Sequence, residues 1–439
     1  MPIQTQTDQS ADAQSSSFEL RCKWTILGVG ALCQCTNMFH RTSLAAISTP
    51  IISDLGLTAT QFGHLAAVYF YVYAAMQFLA GIMGDLWGSR RTLTLGTIVG
   101  GIGALLLGAS SSLGMAYVSR LIVGLGVSVI YVNVLRTVRL WFGSRGFATA
   151  SGLATGLGTI GGILAATPLA WLSLWIGWRW SLEAVGMFSL LVAGLTWVVI
   201  RDRPALPAPS YDMPEDQTAK PNLASTLRHL GAVVANPRSW PCLLVGMGMY
   251  STQITFAGAW GVPYLTQVYG MSRPQAADYT MLVTMGMLVG QGVVGFMSDK
   301  LFKNRRLPLI AGSALNLACW LILAGWGDGV VPALALYPLC LIIGIATSPN
   351  VLIFPTIVAE NAKEASGMAL GFANTGLFLG TALLQPLFGW ILEFFWQGEV
   401  LQGLRVYPGQ AFQIAFLGVA FFALMGLVAS LLIRETRHP

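Results

Sequence analysis

Charge is scarce in this chain: Asp, Glu, Lys and Arg together make up 10% of its 439 residues. Soluble domains carry roughly 25%, so most of this surface cannot face water. Histidine is rarer still, with four scattered copies, and the six cysteines (Cys22, Cys33, Cys35, Cys242, Cys319, Cys340) lie in or beside apolar segments. With no paired spacing in a loop, neither a disulfide framework nor a metal site is indicated. A phosphate-cradling glycine loop and a nucleophile–base pair are both missing, which argues against an enzyme and against any cofactor. Basic residues outnumber acidic ones by six, but they are dispersed, and nucleic acid would need them gathered into a patch. The chain has no Asn-x-Ser/Thr sequon, which fits a bacterial inner membrane.

What the chain has is hydrophobicity. Apolar residues make up 55% of it, glycine contributes 50 positions, and the mean hydropathy is +0.66. A bilayer core takes roughly 20 mostly apolar residues per helix. On that measure, spans fall near 24–48, 62–84, 91–111, 115–138, 147–171 and 180–200, then near 241–265, 276–297, 308–328, 331–356, 366–390 and 410–433. The expected class is an all-α membrane protein of twelve transmembrane helices in two pseudo-symmetric six-helix halves.

Residues 1–22 are polar and read as a disordered cytoplasmic tail, 23–200 as the N-terminal half, 201–238 as a Pro-rich cytoplasmic linker, 239–434 as the C-terminal half, and 435–439 as a short tail. The end of the linker, from Leu223 to Val233, has helical spacing and is expected to lie along the membrane surface. Most Lys and Arg fall in the segments that would be cytoplasmic if both termini are inside, and positive loops are retained there.

The halves repeat. Gln77-x-x-x-Gly81-x-x-x-Asp85 followed by Arg90-Arg91 returns as Gln291-x-x-x-Gly295-x-x-x-Asp299 followed by Arg305-Arg306. Ser151-Gly152-x-x-x-Gly156 returns as Ser366-Gly367-x-x-x-Gly371. Many secondary transporters are built from such repeats, with the solute site between them near mid-membrane.

These residues carry a resemblance. Gly81-Ile-Met-Gly-Asp85-Leu-Trp-Gly88-Ser-Arg90-Arg91 is similar to the signature between the second and third helices of the major facilitator superfamily, and Arg120-x-x-x-Gly124-x-Gly126 to its fourth-helix motif. The resemblance implies a conformational latch formed by Gly81, Asp85, Gly88, Arg90, Arg91 and Asp299. Leu86 stands where a basic residue is usual, and Phe302 replaces the glycine of the second copy.

Phe39-His-Arg41-Thr-Ser, Gln61-Phe-Gly63, Asn133-x-x-Arg136 and Trp141-Phe142 resemble the branch of anion:cation symporters and organic-phosphate (sugar-phosphate) antiporters. In that branch the first-helix arginine binds the substrate's acidic group, which implies that role for Arg41. The seventh helix offers Gln253 and Trp260 but no arginine, so a monoanionic or zwitterionic solute is favoured over a phosphate ester. Gly158-Thr-Ile-Gly161-Gly162 approaches a drug-antiporter motif, but Thr159 occupies its proline position, and small-residue helix packing is the preferred reading.

An intramembrane charge costs roughly 2.5–3.5 kcal/mol on insertion scales, so Arg41 needs a reason, and Asn37 one turn earlier puts it on a polar stripe. Tyr69, Tyr73 and Gln77 share a face at i, i+4, i+8, and Asn374 and Phe378 share another. Such faces must meet protein or water, so these residues, with Gln253 and Trp260, are the expected substrate contacts. His40, Arg120 and Glu183 are the candidates for ion coupling. For Glu183 the blander expectation is an i, i+4 pair with Arg179.

The expected function is secondary transport of a small organic anion of carboxylate type across the cytoplasmic membrane by alternating access. H⁺ is the coupling ion, in uptake, and the transporter is a monomer. A multidrug or siderophore exporter of the same superfamily is the alternative, and a ligand receptor without flux is a third reading.

Overall fold

A backbone that runs through lipid must satisfy its own polar groups, and helices do so locally. The computed structural model describes residues 3–202, 223–296, 304–325, 331–401 and 404–434. The first half contains α1 (Ile3–Ala46), α2 (Ser48–Leu55), α3 (Ala59–Trp87), α4 (Ser89–Gly108), α5 (Leu113–Ser128), α6 (Ile130–Leu164) and α7 (Thr167–Val199). After α8 (Leu223–Ala235) come α9 (Ser239–Thr255), a π-helical turn (Phe256–Trp260), α10 (Gly261–Tyr269), α11 (Arg273–Phe296) and α12 (Arg306–Gly325). Next are α13 (Ala333–Thr347), a 3₁₀ turn, α14 (Ile353–Ala359), α15 (Ser366–Phe394) and α16 (Gly409–Leu432). A two-residue antiparallel pair, β1 (Val400–Leu401) with β2 (Leu404–Arg405), lies between the last two helices.

Backbone breaks at Gly143 inside α6 and at Gly177 inside α7 divide those long helices. Together with the stacked pairs α5–α6, α9–α10 and α13–α14, they give twelve membrane-length runs among the described residues. Seven stretches are apolar enough to cross a bilayer on length and composition alone. α1 is outside that set because Gln34, Asn37, His40 and Arg41 interrupt its apolar run.

One expectation differs. α1 begins at Ile3, where a disordered tail over 1–22 was expected. Extending an existing helix needs no new nucleus, and the Ala, Gln and Glu residues of that stretch are fair to good helix formers. The end of the expected linker is helical, as α8; its residues 203–222 lie outside the described ones.

The halves share a packing scheme. α4 packs on α7 as α12 packs on α16, and α4 on α5 as α12 on α13. Between halves, α3 runs along α15 more extensively than any other helix pair. Their contact is tightest at the end away from Gly88. A Cβ built at Gly63 would come 2.6 Å from the carbonyl oxygen of Gln385, and one at Gly389 would strike the carbonyl of Ala59. Only glycine lets the two backbones meet this closely.

The same end is sealed by polar links. The Ala59 amide donates to Glu393 Oε2 and to the Tyr407 hydroxyl (both 3.2 Å), and Thr167 donates to Asp278 (2.6 Å). Glu393 also pairs with Arg405. This end is termed outer, following the expected orientation.

Candidate substrate site

Arg41 is buried at 6% exposure, five residues before the end of α1. Its Nη1 donates to the Tyr250 hydroxyl (2.8 Å), and its guanidinium lies 5.0 Å from the ring centres of both Tyr73 and Phe378. These are cation–π distances. Nε has no hydrogen-bond partner, and among the described residues no carboxylate pairs with this cation. A desolvated cation held by neutral groups retains unspent attraction for an anion.

Around it stands an aromatic box drawn from both halves. Tyr69 stacks on Tyr73 (5.6 Å), Tyr73 meets Phe378 (4.2 Å), and Tyr250 meets the other side of the box at Phe378 (5.8 Å). The Tyr69 hydroxyl donates to Asn37 Oδ1 (3.2 Å), whose amide donates to Gln34. Asn374 donates to Gln77 Oε1 (2.5 Å), joining α15 to α3 one layer nearer the inner end. Thus Arg41, Asn37, Tyr69, Tyr73, Gln77, Asn374 and Phe378, spread over three helices of the sequence, form one connected group.

Two expected contacts fall outside it. Gln253 accepts from Thr347 (3.4 Å) within the C-terminal half. Trp260 lies in the outer seam, where Nε1 donates to the Gln385 carbonyl (3.1 Å) and the ring stacks on Phe388 (5.1 Å) and meets Phe62 (5.3 Å). Trp260 is the last residue of the π-helical turn that follows α9. Tyr250 is the member that sequence reasoning missed. It lies three residues before Gln253 in α9.

Arg120 is also fully buried. Its Nη1 donates to the His40 carbonyl (3.0 Å), and its guanidinium sits 5.0 Å from the Tyr69 ring. His40 shares a hydrogen bond with Ser189 (3.1 Å). Glu183 is half-buried against Gly108 and makes no ion pair among the described residues. The expected Arg179–Glu183 pair is not formed. Arg179 binds Asp54 (2.5 Å) and the Ser110 carbonyl instead, because the break at Gly177 starts a new helix just before it and turns its first side chains toward α2.

At the inner end Gly88 has φ +82°, and a Cβ there would lie 2.5 Å from the Asp202 carboxylate. Asp202 accepts from the Arg90 amide (2.9 Å), while Arg90 Nε donates to the Trp197 carbonyl (2.7 Å) with its guanidinium 4.1 Å from that ring. An acid after α7 thus caps the start of α4, where the helix dipole favours negative charge. Gly81 lies within α3, and Arg91 is exposed at the start of α4. Asp299 and the Asp85 side chain lie outside the described residues. Gly158 packs on Gln34 and Gly161 directly on the Cys35 carbonyl, so these two glycines of α6 serve close packing against α1.

Comparison with known proteins agrees with this architecture. The chain is 26% identical over 396 residues (85% of this chain, 88% of the relative) to a probable sulfoacetate transporter, SauU, of Cupriavidus necator. It is 26% identical over 371 residues (81% of each) to the membrane sensor protein UhpC of Escherichia coli. Among solved structures, a bacterial homologue of the human lysosomal transporter Spinster, inward-facing and unoccupied, superposes with a TM-score of 0.75 at 19% identity, covering 94% of this chain and 98% of that one. The family model described as Major Facilitator Superfamily matches residues 30–384 and again 262–439. With a repeated six-helix half, a buried polar and aromatic cluster between the halves and a family match across nearly its whole length, this chain belongs to the Major Facilitator Superfamily of membrane transporters.

Proposed function

We propose that the chain takes up a small organic anion of carboxylate or sulfonate type through the cytoplasmic membrane by alternating access, driven by H⁺. The observation that carries this reading is Arg41, a buried cation whose described partners are a hydroxyl and two aromatic faces. The acidic group of a solute would complete its coordination, with Tyr250 and Asn37 ready to donate or accept beside it. Relatives named as a sulfoacetate transporter and a probable galactarate/D-glucarate transporter support the anionic class.

In this reading residues 23–200 and 239–434 rock about the site, both termini are cytoplasmic, and the monomer suffices. Glu183 is the preferred proton carrier of the three candidates, since its carboxylate has no ion pair among the described residues, whereas His40 and Arg120 are engaged with Ser189 and with a backbone carbonyl.

The test is thermal stabilisation of purified protein by a panel of small carboxylates, sulfonates, sugar acids, sugar phosphates and bulky cations, on wild type and Arg41→Ala. An anion that stabilises only wild type supports the reading. Bulky cations stabilising both proteins equally would overturn it in favour of an exporter. The relatives named membrane sensor proteins favour a second reading, ligand sensing without flux. Labelled anion entering proteoliposomes separates the two.

A further inference from the structure

Away from the substrate site, α4 and α7 enclose a groove of about 660 Å³ on the outside of the bundle, lined by Arg91, Leu95, Ile98, Leu190, Gly194 and Trp197. The two helices touch closely at Gly101 and Gly186, where a Cβ on Gly101 would lie 3.0 Å from the Gly186 carbonyl. Toward the inner end Gly194 leaves the groove open, since a Cβ there would meet nothing within 4 Å, while Arg90 and Trp197 hold the two helices together beside it.

Its walls are apolar, and its mouth is cationic. Arg91 is exposed at the first turn of α4 and makes no ion pair among the described residues. The nearby Asp202 carboxylate is already committed to the Arg90 amide and the Gly88 turn, and Arg201 adds a further exposed cation at this end. From Arg91 to Ile98 the groove follows α4 for roughly 10 Å at 1.5 Å per residue.

We propose that this groove binds one anionic phospholipid, its phosphate on Arg91 and an acyl chain along Leu95, Ile98, Leu190 and Gly194. The chemistry selects this occupant among those a bilayer supplies. A chain end fits the apolar cleft whatever the lipid, but a net negative headgroup is what Arg91 distinguishes, and a basic residue near the membrane surface is worth about 1 kcal/mol toward anionic lipid, or roughly fivefold. The site shares Trp197 with Arg90, so the lipid lies beside the turn that Asp202 caps.

Native mass spectrometry of the full chain, exchanged into mixed phosphatidylglycerol and phosphatidylcholine nanodiscs, tests this. Wild type is expected to retain one phosphatidylglycerol with at least about fivefold preference. Arg91→Gln should lose the preference, and Gly194→Leu should lose the bound lipid. Soluble glycerol phosphate should displace nothing, which separates a lipid from a free phosphate. Equal retention of the two lipids by wild type, or an unchanged preference in Arg91→Gln, overturns the proposal. Should a variant fail to fold, a photoactivatable phosphatidylglycerol on wild type decides. Adducts within 91–98 and 190–197 support the site, and adducts confined elsewhere refute it.

Discussion

Arg120 donates its hydrogen bond to the backbone carbonyl of His40, the residue directly before Arg41. One buried arginine therefore holds the stretch of α1 that presents the other. Arg120 acts on position, and Arg41 carries the free charge. Replacing Arg120 with Gln preserves a donor for that carbonyl, so anion affinity should stay within about threefold of wild type, while Arg120→Ala should weaken it about tenfold, in line with roughly 1.5 kcal/mol for a lost hydrogen bond from a charged group. Titration calorimetry decides. Equal losses in both variants would mean that Arg120 touches the solute itself.

Arg41→Met should separate binding from stability. A desolvated cation without a counter-charge destabilises the empty protein, so the variant should melt no lower than wild type. Anion binding should fall by more than tenfold, since charge-assisted hydrogen bonds contribute about 1.5–3 kcal/mol. A large drop in melting temperature would assign Arg41 to bundle bracing.

Glu183→Gln should uncouple the transporter. Uphill uptake driven by a pH gradient is expected to disappear, while exchange of internal for external anion continues at a comparable rate. Gradient-driven accumulation that survives in the variant would move the proton to another group.

The outer seam should be intolerant of added atoms. Gly389→Val places methyl groups where the Ala59 carbonyl already sits, and overpacking of this kind costs about 1–3 kcal/mol. The resting population should then shift toward a conformation open on the outer side. Spin labels at the outer ends of α3 and α15 would report longer distances in the variant; unchanged distances would count against the seam as the gate.

Asp54 provides a pH signature on the outer surface. Its hydrogen bond from Trp178 and its contact with Arg179 hold its carboxyl below the ordinary value. A depressed folded-state value stabilises the protein above the unfolded value of about 3.9, and this contribution is lost as pH falls through the folded one. The pair is over a third exposed, so the effect is at most about 1 kcal/mol. Wild type should melt slightly above Asp54→Asn at pH 7, and the gap should close in acid.

Arg41 was legible in the sequence because lipid makes any mid-span charge conspicuous, and the two-half fold because Gln77 to Arg91 recurs at Gln291 to Arg306. Tyr250 was not singled out: its importance comes from facing Arg41 across the junction of the halves, and nothing local marks it among twelve tyrosines. Gln253 and Trp260 were expected contacts because the seventh helix offers them and no arginine, and nothing in the sequence shows that their partners are Thr347 and the Gln385 carbonyl. Arg179 and Glu183 have the spacing of a helical pair, but the spacing rule does not anticipate a partner from α2 reaching Arg179 first.

The glycine contact between α3 and α15 also bears on how readily the protein can cycle. Where peptide groups rest on peptide groups, closing the seam immobilises hardly any side-chain rotamers, each of which would otherwise cost up to about 1.5–2 kcal/mol of lost freedom. Separating them exposes carbonyls that water solvates at once. A seam of this kind is reversible by composition: it can be made and broken in every turnover without a deep well on either side, and the solute is left to tip the balance.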